Sequence, residues 1–139
     1  MALTVGPVRL ADPRSPWNGQ RVYLHIVPQG IERVESTSAE TDVWVSPGWV
    51  DLVAWTNQPQ IPTAESFSEL AERANRGGFT TVGVGGWWGW HEPELLVQLR
   101  SSWELLPITF LPLASWADPR GRIAPVESLR VEGAFGWTL

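Results

Sequence analysis

The chain has 139 residues, of which 43% are hydrophobic and 18% charged, and a formal net charge of −5. That balance allows a hydrophobic core but not the basic surface that phosphate backbones select, so nucleic acid is not an expected partner. With no cysteine there is no disulfide, thiolate nucleophile or cysteine metal site, and no apolar run approaches the roughly 20 residues of a membrane span.

No signal-peptide pattern opens the chain, so a cytoplasmic location is expected by elimination. All ten basic residues are Arg, which removes Schiff bases and phosphate-binding lysines, and ten residues are Trp. The two histidines, His25 and His91, cannot supply a site needing three or four imidazoles from one copy of the chain.

Leu3–Leu10 alternates loosely, and Asp12-Pro13 and Ser15–Gly19 carry turn chemistry. Arg21–Ile26 alternates polar and apolar residues as a half-buried strand does; Pro28–Gly30 is a tight turn and Ile31–Glu35 its hairpin partner. A polar loop, Ser36–Thr41, follows. These elements predict a small N-terminal β unit over residues 1–43, read as an incomplete sandwich.

From Asp42 the pattern changes. Val43–Val45, Pro47-Gly48 and Trp49–Trp55 form a nearly continuous apolar run, predicting a strand buried on both faces. A helix follows, with capping-box spacing at Ser66 and Glu69, one apolar face of Phe67, Leu70, Ala71 and Ala74, and a stop at Gly77-Gly78. Phe79–Val84 is a second buried strand. Pro93 suits the first turn of a second helix, with Leu95, Leu96 and Leu99 inward. Leu105–Leu113 reads as a third strand, although Pro107 and Pro112 oppose it. Pro125–Val131 is a short third helix and Ala134–Leu139 a fourth strand. The α/β order predicts four parallel strands joined by right-handed crossovers over residues 44–139.

Within this frame, Val45–Leu52 (VSPGWVDL) resembles the strand that opens the barrel in dihydroorotases and related amidohydrolases, which reads approximately PGFVDLHVHLREP. Arg76–Val82 is similar to that family's AAGGFTTV, Glu92–Leu96 to the helix after its MPNTNP loop, and Glu132–Trp137 to its EAGAVAFS. Val8–Pro13 resembles its N-terminal β unit. The motifs fall in order along essentially the whole chain and match the family's N-terminal half. The resemblance implies a partial TIM-type (β/α) barrel of about four parallel strands beside a small β-sandwich-like unit.

It also implies a site, and here the chain departs from the family. An amidohydrolase polarises an amide with divalent metal, held in part by a His-x-His pair whose imidazoles share one face of the first strand. The matching positions are Val53 and Trp55, neither of which offers a lone pair. The family's substrate-binding Arg corresponds to Asn57, and its Asn after strand two to Trp87. Its carbamylated Lys or Asp at strand four falls at about Leu139. The resemblance therefore implies a chain with no catalytic residues, no metal and no cofactor. His91 is read as a solvated or N-cap-adjacent histidine, His25 as structural, Asp51 as a buried polar anchor of its strand, and Asp118 and Glu92 as unrelated carboxylates.

Six tryptophans are placed at the strands' C-terminal ends, where barrels of this kind bind ligands: Trp55, Trp87, Trp88, Trp90, Trp116 and Trp137. They could fill the former pocket, form a protein interface or stack on a flat ligand. Four parallel strands cannot close, so the first and last are open edges that the N-terminal unit, another copy, a partner or further chain must cover. Inactive dihydroorotase homologues in some bacteria associate with aspartate carbamoyltransferase. The resemblance thus implies a scaffold role in pyrimidine biosynthesis, with that enzyme or a second copy as partner. The alternatives are a fragment of an active, metal-dependent amidohydrolase, and a Trp-lined small-molecule binding module.

Overall fold

The computed structural model describes residues 2–56, 63–85 and 90–138. The chain divides into two compact units, Met1–Pro47 and Gly48–Leu139.

The first unit is one four-stranded sheet. β1 (Leu3–Leu10) and β2 (Arg21–Val27) are antiparallel, as are β2 and β3 (Gly30–Ser36), while β4 (Trp44–Val45) joins β1 in parallel, giving the order β3-β2-β1-β4. Its described strands form this single layer, not the sandwich that the alternation suggested. Val8, Val22 and Leu24 are its buried core, closed over by Val5, Leu10, Trp17, Ile26, Val34 and Val45. Three buried side chains on one face are what a single sheet of short strands can supply.

The second unit alternates strand and helix: β5 (Trp49–Ala54), α1 (Ala64–Arg76), β6 (Phe79–Gly85), α2 (Pro93–Trp103), β7 (Thr109–Ser115), α3 (Val126–Val131) and β8 (Gly136–Thr138). The strands pair in parallel in chain order, β5-β6-β7-β8, as a curled sheet equivalent to half a barrel. The long apolar run expected from 43 to 55 is thus two strands in two different sheets. Pro47-Gly48 lies at the break, and Val45 ends its pairing against Leu10 while Trp49 begins against Phe79.

Helix α1 shows how local chemistry sets an element. Its N-cap is Thr63, whose Oγ1 accepts from the Ser66 backbone N–H at 3.2 Å, while Ser66 Oγ accepts from the Thr63 N–H at 3.4 Å. The capping box therefore begins three residues before the expected Ser66–Glu69 pair. Ser66 is its N3 member, and Glu69 instead pairs with Arg73 one turn on. Phe67, Ala71 and Ala74 point inward, with Leu70 at the margin, and the helix ends at Gly77 with Gly78 at φ +79°.

One core runs between the helices and the sheet. Phe67 meets Trp103 and Phe110 edge-on at ring separations of 4.7 and 5.5 Å, and Val82, Val84, Leu96, Leu99, Ala114 and Leu129 complete the layer. Strand β7 starts at Thr109, so Pro107 lies outside it, but Pro112 stands within. The Pro112 carbonyl accepts from Phe135 N at 2.8 Å, and within a strand a residue's carbonyl and N–H point to the same side. The missing donor therefore faces the chain leading into β8, before that strand begins pairing at Gly136. Proline costs no ladder bond there.

Candidate functional site

The C-terminal ends of the four strands carry Ala54 to Thr56, Gly85, Ser115-Trp116 and Thr138. Their geometry starts in β5. Asp51 pairs with Val82 and Ala54 with Val84, so Leu52 and Val53 together oppose the single residue Gly83. This is a β-bulge, which bends a strand and re-aims its side chains. The bulge presses the strand backbone onto its neighbour: a Cβ at residue 83 would fall on the Leu52 carbonyl. Glycine is the residue that leaves that space open. Asp51 accepts the Val53 N–H at 3.1 Å across the bend, from a half-buried position rather than the buried one expected.

Beyond the bulge, Trp55 turns over the end of β6. A Cβ on Gly85 would meet the Trp55 ring at 3.3 Å and the Thr138 methyl at 3.5 Å. Residues following one edge strand and ending the other thus converge above Gly85, a direct measure of how far the sheet curls. Trp55 remains 43% exposed. Indole, methyl and hydroxyl groups occupy this mouth.

The other tryptophans separate. Trp116 and Trp137 stack at 5.1 Å with planes tilted by 35°, and the Trp116 N–H donates to the Thr138 carbonyl at 3.1 Å. Trp116 is exposed, while Trp137 packs against the helix-side core beside Ala114, its partner across the sheet. Trp90 is fully buried in that core, 6.4 Å from the Trp103 ring, and its carbonyl receives the Ser115 N–H. Trp90 therefore serves packing rather than a surface or pocket; its indole N–H finds no acceptor among the described residues. Trp87, Trp88 and Asn57 lie outside the described residues, as does Leu139.

The two histidines have neighbours of their own. His25 belongs to the first unit, with Nδ1 3.2 Å from Thr4 Oγ1 and Nε2 3.1 Å from Arg33 and 3.4 Å from Glu35, a polar cluster on an antiparallel sheet. His91 precedes α2 and lies 3.6 Å from Glu92. Asp118 sits in the loop after β7, where its carboxylate accepts from the Arg122 and Arg120 backbone N–H groups at 2.9 and 2.8 Å and from Arg122 Nε at 2.6 Å. The bond from the Arg122 backbone does most to hold the Asp118 carboxyl below the ordinary carboxylate value. Asp118 and Glu92 each keep their own partner rather than forming a pair.

Among the described residues no three His, Cys, Asp or Glu side chains gather as a metal-binding group. The side chains at Val53 and Trp55, the positions that the sequence resemblance aligns with a dihydroorotase's leading ligands, do not fit a metal: Val53 has no donor atom, and the Trp55 indole offers only an N–H. The hydroxyls of Ser115, Thr138 and Thr56 can make hydrogen bonds and the rings can stack, but these groups do not activate water at neutral pH. A separate groove of about 710 Å³ opens at the other end of β7, lined by Val97, Arg100, Trp103, Pro107, Thr109 and Glu132 among others. There Arg100 Nη1 donates to the Glu132 carbonyl at 3.3 Å.

Sequence reasoning placed Val53 and Trp55 near the strand end but missed the bulge and the closure over Gly85. The signal was present in Gly83 and Gly85, two glycines on one face of a strand, which mark close backbone or ring approach.

No protein-family model matches the sequence, and no curated protein matches it. Solved structures do. A crystal structure of a dihydroorotase superposes with a TM-score of 0.58 at 14% identity, covering 98% of this chain and 41% of that one. An uncharacterized protein superposes at 0.44 with 13% identity, over 83% of this chain and 32% of its own. The chain thus spans about two fifths of the dihydroorotase it matches. At this identity the likeness is one of fold, and it accords with the half-barrel and separate small sheet. No helix among the described residues is long and apolar enough to cross a membrane.

Proposed function

We propose that this chain is a non-catalytic, dihydroorotase-like protein that works by association, as a structural or assembly partner in pyrimidine biosynthesis with aspartate carbamoyltransferase as its candidate partner. The observation that carries the reading is the state of the strand-end mouth. Val53 and Trp55 stand where the family resemblance puts a His-x-His pair, and the Trp55 ring closes over Gly85. The dihydroorotase-like fold supports a common scaffold. The partner assignment rests on the family resemblance alone.

Two measurements test it. Purified chain is expected to contain no stoichiometric zinc and to leave dihydroorotate intact; bound metal with turnover would reverse the reading. Mixed with aspartate carbamoyltransferase, the chain is expected to migrate as a larger complex, and two independent peaks would remove the assembly role. A second reading is favoured by the 41% coverage of the dihydroorotase: this half belongs to an amidohydrolase whose metal is held by other residues. Metal analysis and a dihydroorotate assay on the gene product purified from its native source decide between the two: stoichiometric zinc with turnover there, absent from the isolated chain, favours the second.

A further inference from the structure

On the helices of the second unit, Glu69, Glu72 and Glu127 each pair with an arginine one turn further on, at Arg73, Arg76 and Arg130. Arg100 on α2 and Glu104 at its C-cap also stand one turn apart, yet they do not pair. Arg100 turns instead to the end of α3, where it donates to the Glu132 carbonyl, and among the described residues neither Arg100 nor Glu104 has an ion pair. Both line the groove of about 710 Å³ at the start of β7, whose floor is the buried Trp103, Ile108 and Phe110. Leu105, between the lining residues Glu104 and Leu106, is 96% exposed. A lone exposed leucine is ordinary. A leucine projecting beside an apolar-floored groove with two uncommitted charges is a patch built to be covered. The patch lies over β7, which has a strand on each side, so neither edge of the sheet contributes to it.

We infer that two copies of this chain dock through this patch, each inserting Leu105 and its loop into the other's groove about a two-fold axis. A two-fold contact needs a surface that complements itself: a projection beside a recess, and opposite charges that can exchange partners. Leu105 and the groove supply the first. Arg100 and Glu104 supply the second, each Arg100 meeting the Glu104 of the other copy. Volumes of this size elsewhere enclose a drug-sized ligand, so the groove admits a leucine together with the loop that carries it. The charges argue against a simple anion as the occupant, because Glu104 and Glu132 share the groove with the single Arg100. One loop in one groove, made twice, covers less than the roughly 1,200 Å² of a standard interface, so association on the order of tens of micromolar is expected. The inference stands apart from the loss of catalysis and from any partner in pyrimidine biosynthesis.

The test begins with the pure, unaltered chain. Sedimentation equilibrium from about 5 to about 500 μM is expected to show the mass rising from 15.5 kDa toward twice that value. A monomer throughout overturns the inference. So does an open-ended series of larger species, because a two-fold contact closes at two copies. Leu105→Asp alters a side chain that touches almost nothing in its own chain. It is expected to leave the circular dichroism spectrum unchanged and to give a monomer; a dimer that survives it is held elsewhere, and the inference fails. The charges give the sharper test. Arg100→Glu sets two like-charge pairs across the axis, and Glu104→Arg does the same, so each variant alone is expected to dimerise at least about tenfold more weakly. Mixed in equal amounts, the two are expected to associate about as well as the unaltered chain, since both pairs are then opposite in sign. A purely structural role for Arg100 at the end of α3 would give no such rescue, and its absence would refute the reciprocal docking.

Discussion

Strands β5 and β6 lie side by side in one sheet and are both apolar, yet their environments are opposite. In β6, Val82 and Val84 are covered by the helix-side core, and even its glycines are buried. In β5, Trp49, Val50, Leu52 and Val53 are all more than half exposed. The difference is one of neighbours, not of composition: β6 has a strand on each side and α1 packed against it, whereas β5 has one strand and an open edge. Apolar content tells which strands can be buried; topology decides which are.

The contrast is broken most severely by removing the cover over β6. Phe67 has no exposure and touches two other rings edge-on. Phe67→Ala is expected to destabilise the second unit by about 3–5 kcal/mol, through lost burial and the cavity left behind. Urea unfolding followed by tryptophan fluorescence measures this, and a loss below about 1 kcal/mol would mean the aromatic cluster is not the centre of the core.

The next effect concerns the seam between the strands. Gly83→Ala drives a methyl into the Leu52 carbonyl, so β5 must shift or its bulge flatten. Overpacking of this kind costs about 1–3 kcal/mol. Hydrogen exchange localises the change: amides of β5 are expected to lose protection while those of β7 keep theirs. Uniform protection would show that the bulge tolerates a side chain. Smaller still is the cap on the covering helix. Thr63→Ala removes the acceptor for the Ser66 N–H and is expected to cost about 1 kcal/mol, with Thr63→Ser restoring most of it.

The same contrast explains what the sequence revealed. Helix α1, strand β6 and the order of the parallel strands were legible because their periodicity and glycine stops agree with the packing they enter. The run from 43 to 55 misled, because a strand buried on two faces and an unpaired edge strand can carry the same residues. Thr63 was overlooked as a cap because Ser66 and Glu69 also have the right spacing, and only the helix start distinguishes them. Of the site, Val53 and Trp55 were placed by resemblance to a family motif. The closure of Trp55 over Gly85 required the curl of the sheet, which no local pattern encodes. Trp90 was grouped with the strand-end rings by its position in the chain, whereas the structure buries it among Trp103 and its neighbours.

Where apolar cover is thin, polar bonds hold the chain instead, and the loop after β7 shows how. Asp118 ties residues 118 to 122 into one turn by accepting from two backbone N–H groups and the Arg122 side chain, and Ala117 bridges to Ile123 just outside it. These bonds favour the ionised carboxylate, so its folded pKa lies below the ordinary 3.8. The sign follows: the stabilisation is complete above the ordinary value and is lost as the pH falls through the lower folded value. Near neutrality the turn is therefore insensitive to pH, and it loosens only in acid. An NMR titration of the Asp118 carboxyl is expected to show a midpoint below 3.8 in the intact chain, moving back toward that value when Arg122→Ala removes the guanidinium, but not all the way, because the two backbone donors remain. A midpoint at or above 3.8 in the unaltered chain would mean that the turn is not held by this carboxylate. The apolar helix-side core should then be credited with ordering the loop, through the burial of Ala124.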